Sequence, residues 1–191
     1  MLRIQQSSVR SALVAAGALW LAGCSSLPSA PGSNTFRNPD FVHVASSPSG
    51  TMSASAVLDS SSATGQIAID GAVGGTLQVG RFTLTFPPGA FGGTATVSIL
   101  VPNQSVVRCR LNISPASANG FAVPVILRSD CTGTLVPDPS RLTELWFDEA
   151  AGAWRQVPGA TPDIVNTDVI APLRHFSDYG VVDLVDGKAG W

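Results

Sequence analysis

The sequence has few of the residues from which catalytic and metal centres are usually built. Its two histidines and three cysteines are too few for several metal sites. One lysine accompanies ten arginines and the formal net charge is −2. No basic surface is therefore expected to neutralise many phosphates, and nucleic acid is not an expected partner. G-x-S-x-G, P-loop and H-E-x-x-H motifs are missing, so the sequence predicts no cofactor and no enzyme of these classes.

Helical periodicity is also missing after residue 24, and what replaces it is a β pattern. Short apolar runs recur every ten to fifteen residues, separated by Gly, Pro, Asn and Asp. Phe82, Leu84 and Phe86, for example, alternate with polar residues. This pattern predicts an all-β fold, an antiparallel β-sandwich. The predicted strands are 75–79, 81–86, 94–101, 107–113, 123–129, 142–147, 153–157, 168–173 and 179–185.

The N-terminus has the layout of a secretory signal. Arg3 and Arg10 precede an apolar stretch at 11–21, which is too short to span a bilayer as a mature helix. The following residues, 21–24, read Leu-Ala-Gly-Cys and resemble the lipobox of bacterial lipoproteins, in which a small residue precedes the modified cysteine. The resemblance implies that the signal is cleaved before Cys24.

A lipobox implies a specific modification of Cys24. Its thiolate acts as a nucleophile and becomes bonded to a diacylglycerol group. The amine freed by cleavage is then acylated by a further chain such as palmitate. Several acyl chains together hold a protein stably on a membrane. Ser25 and Ser26 follow, without the Asp that retains lipoproteins in the inner membrane, so the outer membrane is the expected location. The alternatives are an ordinary secretory signal, which gives a soluble secreted protein, and an uncleaved anchor.

Residues 25–65 are rich in Ser, Ala, Pro and Gly and contain only three charged side chains. Such a segment buries too little apolar area to offset its chain entropy, so it is predicted to be a linker. The island FRNPDFVHV at 36–44 breaks the pattern and is expected either to add a strand at the domain edge or to dock on its surface. His43 stands alone there, which favours an ordinary surface or satisfied histidine over a metal ligand.

Cys109 and Cys131 are the remaining cysteines. Outside the cytoplasm such a pair is best interpreted as a disulfide that closes a loop of about twenty residues. The alternative is two free buried thiols. A redox-active pair is disfavoured because the C-x-x-C spacing is missing.

Two regions of the predicted sandwich carry recognisable motifs. At its start are GGTLQV at 74–79 and FTLTFPPGAF at 82–91, in which prolines end a strand and a glycine permits the turn. At its end are LWFD at 145–148 and HFSDYGVV at 175–182. Together these motifs resemble the ZU-five domain, the β-sandwich of zona-occludens proteins, netrin receptors and ankyrins. The resemblance covers 67–184. Ankyrin repeats, the UPA module and the death domain do not accompany it, so spectrin and apoptotic partners are not implied.

The resemblance gives His175, Phe176 and Ser177 two interpretations. In some relatives the matching His-Phe-Ser cuts its own backbone. Ser177 would attack the Phe176 carbonyl in an N-to-O acyl shift, His175 would act as base, and water would hydrolyse the ester. In most relatives the segment forms a corner in which His and Ser hydrogen-bond and Phe fills the core. The structural interpretation is the expected one.

Four oxygen-bearing residues, Asp163, Asn166, Asp168 and Asp178, are close in sequence or in the predicted fold. Their oxygens are candidate ligands for calcium. Asp and Asn in turns usually form hydrogen bonds with their own backbone instead, so no metal site is expected.

Together these features predict a lipid-anchored lipoprotein of the bacterial envelope. Its sandwich acts as a non-catalytic binding or structural module, and an envelope protein or a polysaccharide is the expected partner. Self-cleavage between Phe176 and Ser177 is the alternative function. The predicted division of the chain is 1–23 signal peptide, 24–65 acylated cysteine and linker, 66–186 sandwich, and 187–191 tail.

Overall fold

The structure, a computed structural model, describes residues 35–45, 61–185 and 188–189. The predicted signal peptide, Cys24 and linker residues 46–60 lie outside these ranges. The described residues form thirteen strands and two single-turn 3₁₀ helices, Ala116–Ala118 and Pro139–Arg141. The strands are β1 (Thr35–Phe36), β2 (Ala63–Asp70), β3 (Gly75–Val79), β4 (Phe82–Phe86), β5 (Thr94–Val101), β6 (Arg108–Ser114), β7 (Val125–Asp130), β8 (Leu142–Asp148), β9 (Ala153–Gln156), β10 (Thr161–Asp163), β11 (Asp168–Leu173), β12 (Asp178–Val185) and β13 (Lys188–Ala189).

The strands form two antiparallel sheets that pack face to face, so the fold is the predicted β-sandwich. One sheet has eight strands in the order β1-β9-β8-β12-β6-β5-β2, with β13 paired to β12. The other has five strands in the order β10-β11-β7-β4-β3. Neighbouring strands in the first sheet include pairs far apart in sequence, such as β6 and β12, so the sheet depends on long-range pairing.

Alternation of apolar and polar side chains explains why these segments form strands. In β6 the residues Cys109, Leu111 and Ile113 are buried, whereas their neighbours point away from the core. In β4 the residues Phe82 and Leu84 are fully buried. Side chains with a period of two share one face of a strand, so each sheet presents one apolar face to the other.

All nine predicted strands are confirmed, each end to within two residues. Three strands were not predicted: β2, β10 and β13. β1 lies at the start of the island at 36–44, for which an edge strand was one of the two expectations. In β2 only Ile69 is buried, because β2 lies at the edge of its sheet and pairs along its whole length with β5. β2 therefore begins at Ala63, three residues before position 66, and residues 188–189 of the predicted tail pair with β12.

Residues 35–45, called the strap below, lie on the sandwich rather than in a free linker. β1 pairs with β9, and single-residue bridges join Phe41 to Val182 and His43 to Val106. The predicted island therefore does both things expected of it, adding an edge strand and docking. The His43 ring is exposed, with Nε2 3.7 Å from the Asp40 carboxylate.

The hairpin of β8 and β9 places its two tryptophans on opposite faces of the sheet. Trp146 packs against the main core between the sheets. Trp154 belongs to a second apolar cluster with Leu145 and Val182. The register explains this, since Phe147 rather than Trp146 is opposite Trp154.

Candidate functional site

The segment between β11 and β12 carries His175, Phe176 and Ser177 from one sheet to the other. Phe176 is buried, and its ring meets Phe121 edge-on with centroids 4.8 Å apart. Asn119 holds both sides of the Phe176 backbone. The Phe176 N–H donates to Asn119 Oδ1 at 2.5 Å, and Asn119 Nδ2 donates to the Phe176 carbonyl at 3.2 Å. The triplet is thus fixed by core packing and by one side-chain amide.

Ser177 is bonded away from the carbonyl that it would attack in an acyl shift. Its Oγ donates to the Phe147 carbonyl at 2.6 Å, and its own carbonyl accepts from the Leu111 N–H at 3.0 Å. A hydroxyl has one proton to donate. Attack on Phe176 would therefore require the loss of the bond to β8.

His175 is half-buried and packs against an aromatic ring. Its centroid lies 4.6 Å from that of Trp146, with the planes 87° apart. Burial lowers the pKa of His175, and the nearby Asp148 carboxylate only partly opposes this effect. The His175 carbonyl accepts a hydrogen bond of 2.5 Å from the Tyr179 hydroxyl. Near neutral pH the ring is therefore neutral and serves as a packing surface.

An open cleft of about 410 Å³ lies beside this corner, where β8, β11 and β12 come together. Its walls are mainly apolar and include the side chains of Arg174 and His175. The residues that matter most are Trp146, Pro124, Pro158, Pro172, Arg174 and His175.

The cleft suits a ligand with an apolar face and an oxygen-bearing edge. Three prolines restrict the backbone, so the walls are largely preformed. Trp146 offers an aromatic surface. The Arg174 side chain is exposed and uses Nη1 to donate to the Ala122 carbonyl at 3.1 Å, which leaves other guanidinium donors for a ligand. Sequence reasoning found His175 but missed the cleft, because its walls come from separated segments.

Sequence reasoning also missed a buried acid. Glu144, in the middle of β8, is 0% exposed and points between the sheets. Its Oε2 accepts from the Ser129 hydroxyl at 2.8 Å, while Oε1 has no partner. Burial raises the pKa of Glu144 to about 8, although the Ser129 hydrogen bond opposes the rise. The carboxyl is therefore mostly protonated at neutral pH. The sequence signal that could have indicated this buried acid is a glutamate within the otherwise largely apolar run LTELWF.

The structure does not form the disulfide predicted between Cys109 and Cys131. Both are free, buried thiols, one in β6 and the other just after β7 in the opposite sheet. The Cys131 thiol is directed at the carbonyl of Ser129, in the adjoining β7, 3.6 Å away. Burial raises the pKa of both thiols, that of Cys131 to about 12, and the charge of Glu144 acts in the same direction. Both thiols are thus poorly ionised, as expected for packing residues.

The four candidate calcium residues do not converge. Asp163 accepts hydrogen bonds from its own turn, including one of 3.2 Å from the Asn166 N–H. Asp168 is buried and paired with Arg128 in the five-stranded sheet. Asp178 is paired with two arginines of β6 in the other sheet. Within the residues that the structure describes, no group of three or more His, Cys, Asp or Glu side chains is arranged to hold a metal ion.

Across residues 35–45, 61–185 and 188–189, no helix has the length and hydropathy needed to span a bilayer. No protein-family model, curated protein or solved structure matches this chain.

Proposed function

We propose that this protein is a lipid-anchored lipoprotein of the bacterial envelope, attached through Cys24, whose sandwich is a non-catalytic binding module. The observation that carries the binding role is the preformed apolar cleft at Trp146, His175 and Arg174. The lipid anchor is supported by the N-terminal signal and the Leu-Ala-Gly-Cys box. Ser25 and Ser26 after the cysteine favour the outer membrane. An envelope polysaccharide or an envelope protein is the proposed ligand.

Kinship with ZU-five domains is part of the proposal, and it is supported by local structure where the sequence motifs lie. Gly89 of the Pro-Pro-Gly-Ala turn has φ of +83°, a region that favours glycine, and its N–H donates to the Gly71 carbonyl at 2.7 Å. The antiparallel two-sheet fold is also compatible with this kinship.

The anchor is tested by metabolic labelling with a fatty-acid analogue. Wild-type protein should carry the label at the mature N-terminus, and the Cys24→Ser variant should lose it because the acceptor thiol is gone. Ser25→Ala is the matched control and should keep the label. An unlabelled wild-type protein would overturn the lipoprotein assignment.

The cleft is tested by screening purified protein against envelope polysaccharides and short peptides. Trp146→Ala should weaken any interaction found by at least tenfold, because it removes the aromatic wall. Val165→Ala, at an 87% exposed position outside the cleft, should leave binding unchanged. Binding that is equally strong in Trp146→Ala would place the ligand elsewhere.

One contact favours self-cleavage as the second candidate function. Asn119 Nδ2 donates to the Phe176 carbonyl, the group on which negative charge would develop during an acyl shift. The Ser177 bond to Phe147 opposes it, so we expect wild-type protein to give one full-length mature species by intact mass. A wild-type fragment beginning at Ser177, absent from Ser177→Ala, would establish cleavage.

A further inference from the structure

The strap is held by main-chain hydrogen bonds to β12 and to the segments just before β6 and just after β7. Val42 N–H donates to the Val181 carbonyl at 2.9 Å, and its carbonyl accepts from the Val107 N–H at 2.9 Å. Further along, Ala45 N–H donates to the Gly133 carbonyl at 2.8 Å. The strap is therefore hydrogen-bonded like a strand and is part of the fold rather than a loose loop.

A close-fitting notch receives one strap side chain. A Cβ placed on Gly180 would lie 2.5 Å from Cε1 of Phe41, so only glycine leaves room for this ring. The Phe41 ring also meets Trp154 edge-on at 4.7 Å, and the Arg108 guanidinium lies 5.6 Å from its centroid. Phe41 thus anchors the strap on the outer face of the sheet, while the neighbouring Val42 is buried in the main core.

The strap covers apolar side chains on the outer face of the eight-stranded sheet. Leu145, Trp154 and Val182 form a buried cluster there, and Phe36 and Phe41 of the strap pack against it. Without the strap this cluster would face water, so docking removes apolar area from solvent.

Release of the strap would leave the main strand ladders intact. It is attached by the two-residue β1 and by single bridges, whereas β2 and β5 pair over eight residues. Short peripheral elements open at lower free energy than the strands of a core. Release of the strap should therefore cost less than the opening of a core strand, although it would also withdraw Val42 from the main core.

We propose that the strap is a latch that sets how far the sandwich can stand from its membrane anchor. This inference rests on the proposed lipidation of Cys24. With the strap docked, eleven residue steps separate Cys24 from Thr35, a span of at most about 40 Å. With the strap released, thirty-nine steps separate Cys24 from Ala63, a span of at most about 140 Å. Release therefore raises the maximum reach about 3.5-fold.

Two variants release the latch from opposite sides. Phe41→Ala removes the ring, and Gly180→Ala fills the notch without changing the strap. His43→Ala is the matched control, because it alters an exposed strap side chain with only a distant contact to Asp40. All are made in the full chain, and a native far-ultraviolet spectrum is required of each.

The first measurement reports docking without reference to a membrane. Spin labels are attached through Asn38→Cys and Glu149→Cys, both exposed positions, in a Cys24→Ser background, while Cys109 and Cys131 remain buried. The distance distribution should be narrow in the parent and in His43→Ala. It should become broad in both latch variants. Narrow distributions in both would overturn the proposal.

The second measurement reports reach on lipid vesicles. A dye at Val165→Cys transfers energy to acceptors in the lipid headgroups, and both latch variants should show less transfer than the parent. The root-mean-square reach of a free chain grows with the square root of its length, so it should rise about 1.9-fold. Acylated variants with released straps but unchanged transfer would overturn the latch alone. A protein whose mass shows no acyl group on Cys24 would overturn the latch and the lipoprotein assignment together, even if the spin labels show release.

Discussion

The buried carboxyl of Glu144 gives the sharpest prediction for stability. Its pKa in the fold is about 8, against an ordinary value of 4.5. The folded protein binds this proton more tightly than the unfolded chain does. The contribution of Glu144 to the free energy of unfolding is therefore fully present below about pH 4.5 and is lost as the pH rises to about 8. The difference of 3.5 pKa units corresponds to about 5 kcal/mol over the whole window. Between about pH 6.5 and 8 the loss should be about 1.6 kcal/mol.

This upper part of the window isolates Glu144 from the other shifted groups. His175 has a lowered pKa, so its contribution to stability is lost only as the pH falls below about 6.5. Asp178 also has a lowered pKa, and its contribution is lost only in acid, below its ordinary value of 3.8. The raised pKa values of Cys109 and Cys131 change the free energy of unfolding only near and above pH 9.0, the ordinary pKa of a thiol.

The assay is urea unfolding at several pH values between 6.5 and 8, checked by thermal unfolding. The loss of about 1.6 kcal/mol corresponds to a fall in Tm of about 3 to 6 °C. Glu144→Gln cannot ionise and should have a free energy of unfolding that is flat over this range, whatever its absolute value. Glu149→Gln removes an exposed acid and should keep the wild-type slope. Equal slopes in wild type and Glu144→Gln would refute the reasoning.

Two further predictions concern the core. Phe176→Ala should lower the free energy of unfolding by about 3 to 5 kcal/mol, because the ring lies between Phe121 and Phe86. A loss below about 1 kcal/mol in urea unfolding would contradict the packing role. Cys109 and Cys131 should resist a thiol reagent near neutral pH in the folded protein and react once guanidinium unfolds it, as mass spectrometry can count. Two thiols unreactive even when unfolded would instead indicate a disulfide.

Strands with one buried face could be predicted from the sequence, and strands without one could not. β5 alternates Ala95, Val97 and Ile99 inward, which is the signal that a period of two detects. Its partner β2 buries only Ile69, so the composition of its first half is that of a linker. Main-chain pairing with β5 holds β2 in place, and pairing of this kind leaves little trace in side-chain pattern.

The interior polar groups could not be predicted for a different reason. Cys109 and Cys131 have the context of a disulfide, but formation of a bridge depends on the separation and direction of two side chains in different sheets. Glu144 and Ser129 meet across the sandwich, although fourteen residues separate them in the chain. Such contacts depend on register between sheets, which local sequence does not contain.

The strap, in contrast, left a signal in β8 that has a physical explanation. A strand with one face in water should alternate, yet 142–147 reads Leu-Thr-Glu-Leu-Trp-Phe with apolar residues at both phases. In the structure Trp146 faces the core between the sheets, while Leu145 and Phe147 face outward into the cluster covered by the strap. A strand that is apolar on both phases needs a cover on both faces, and the opposite sheet provides only one. The second cover had to come from elsewhere in the chain, and the aromatic island at 36–44 was the apolar segment that the predicted strands had left unassigned.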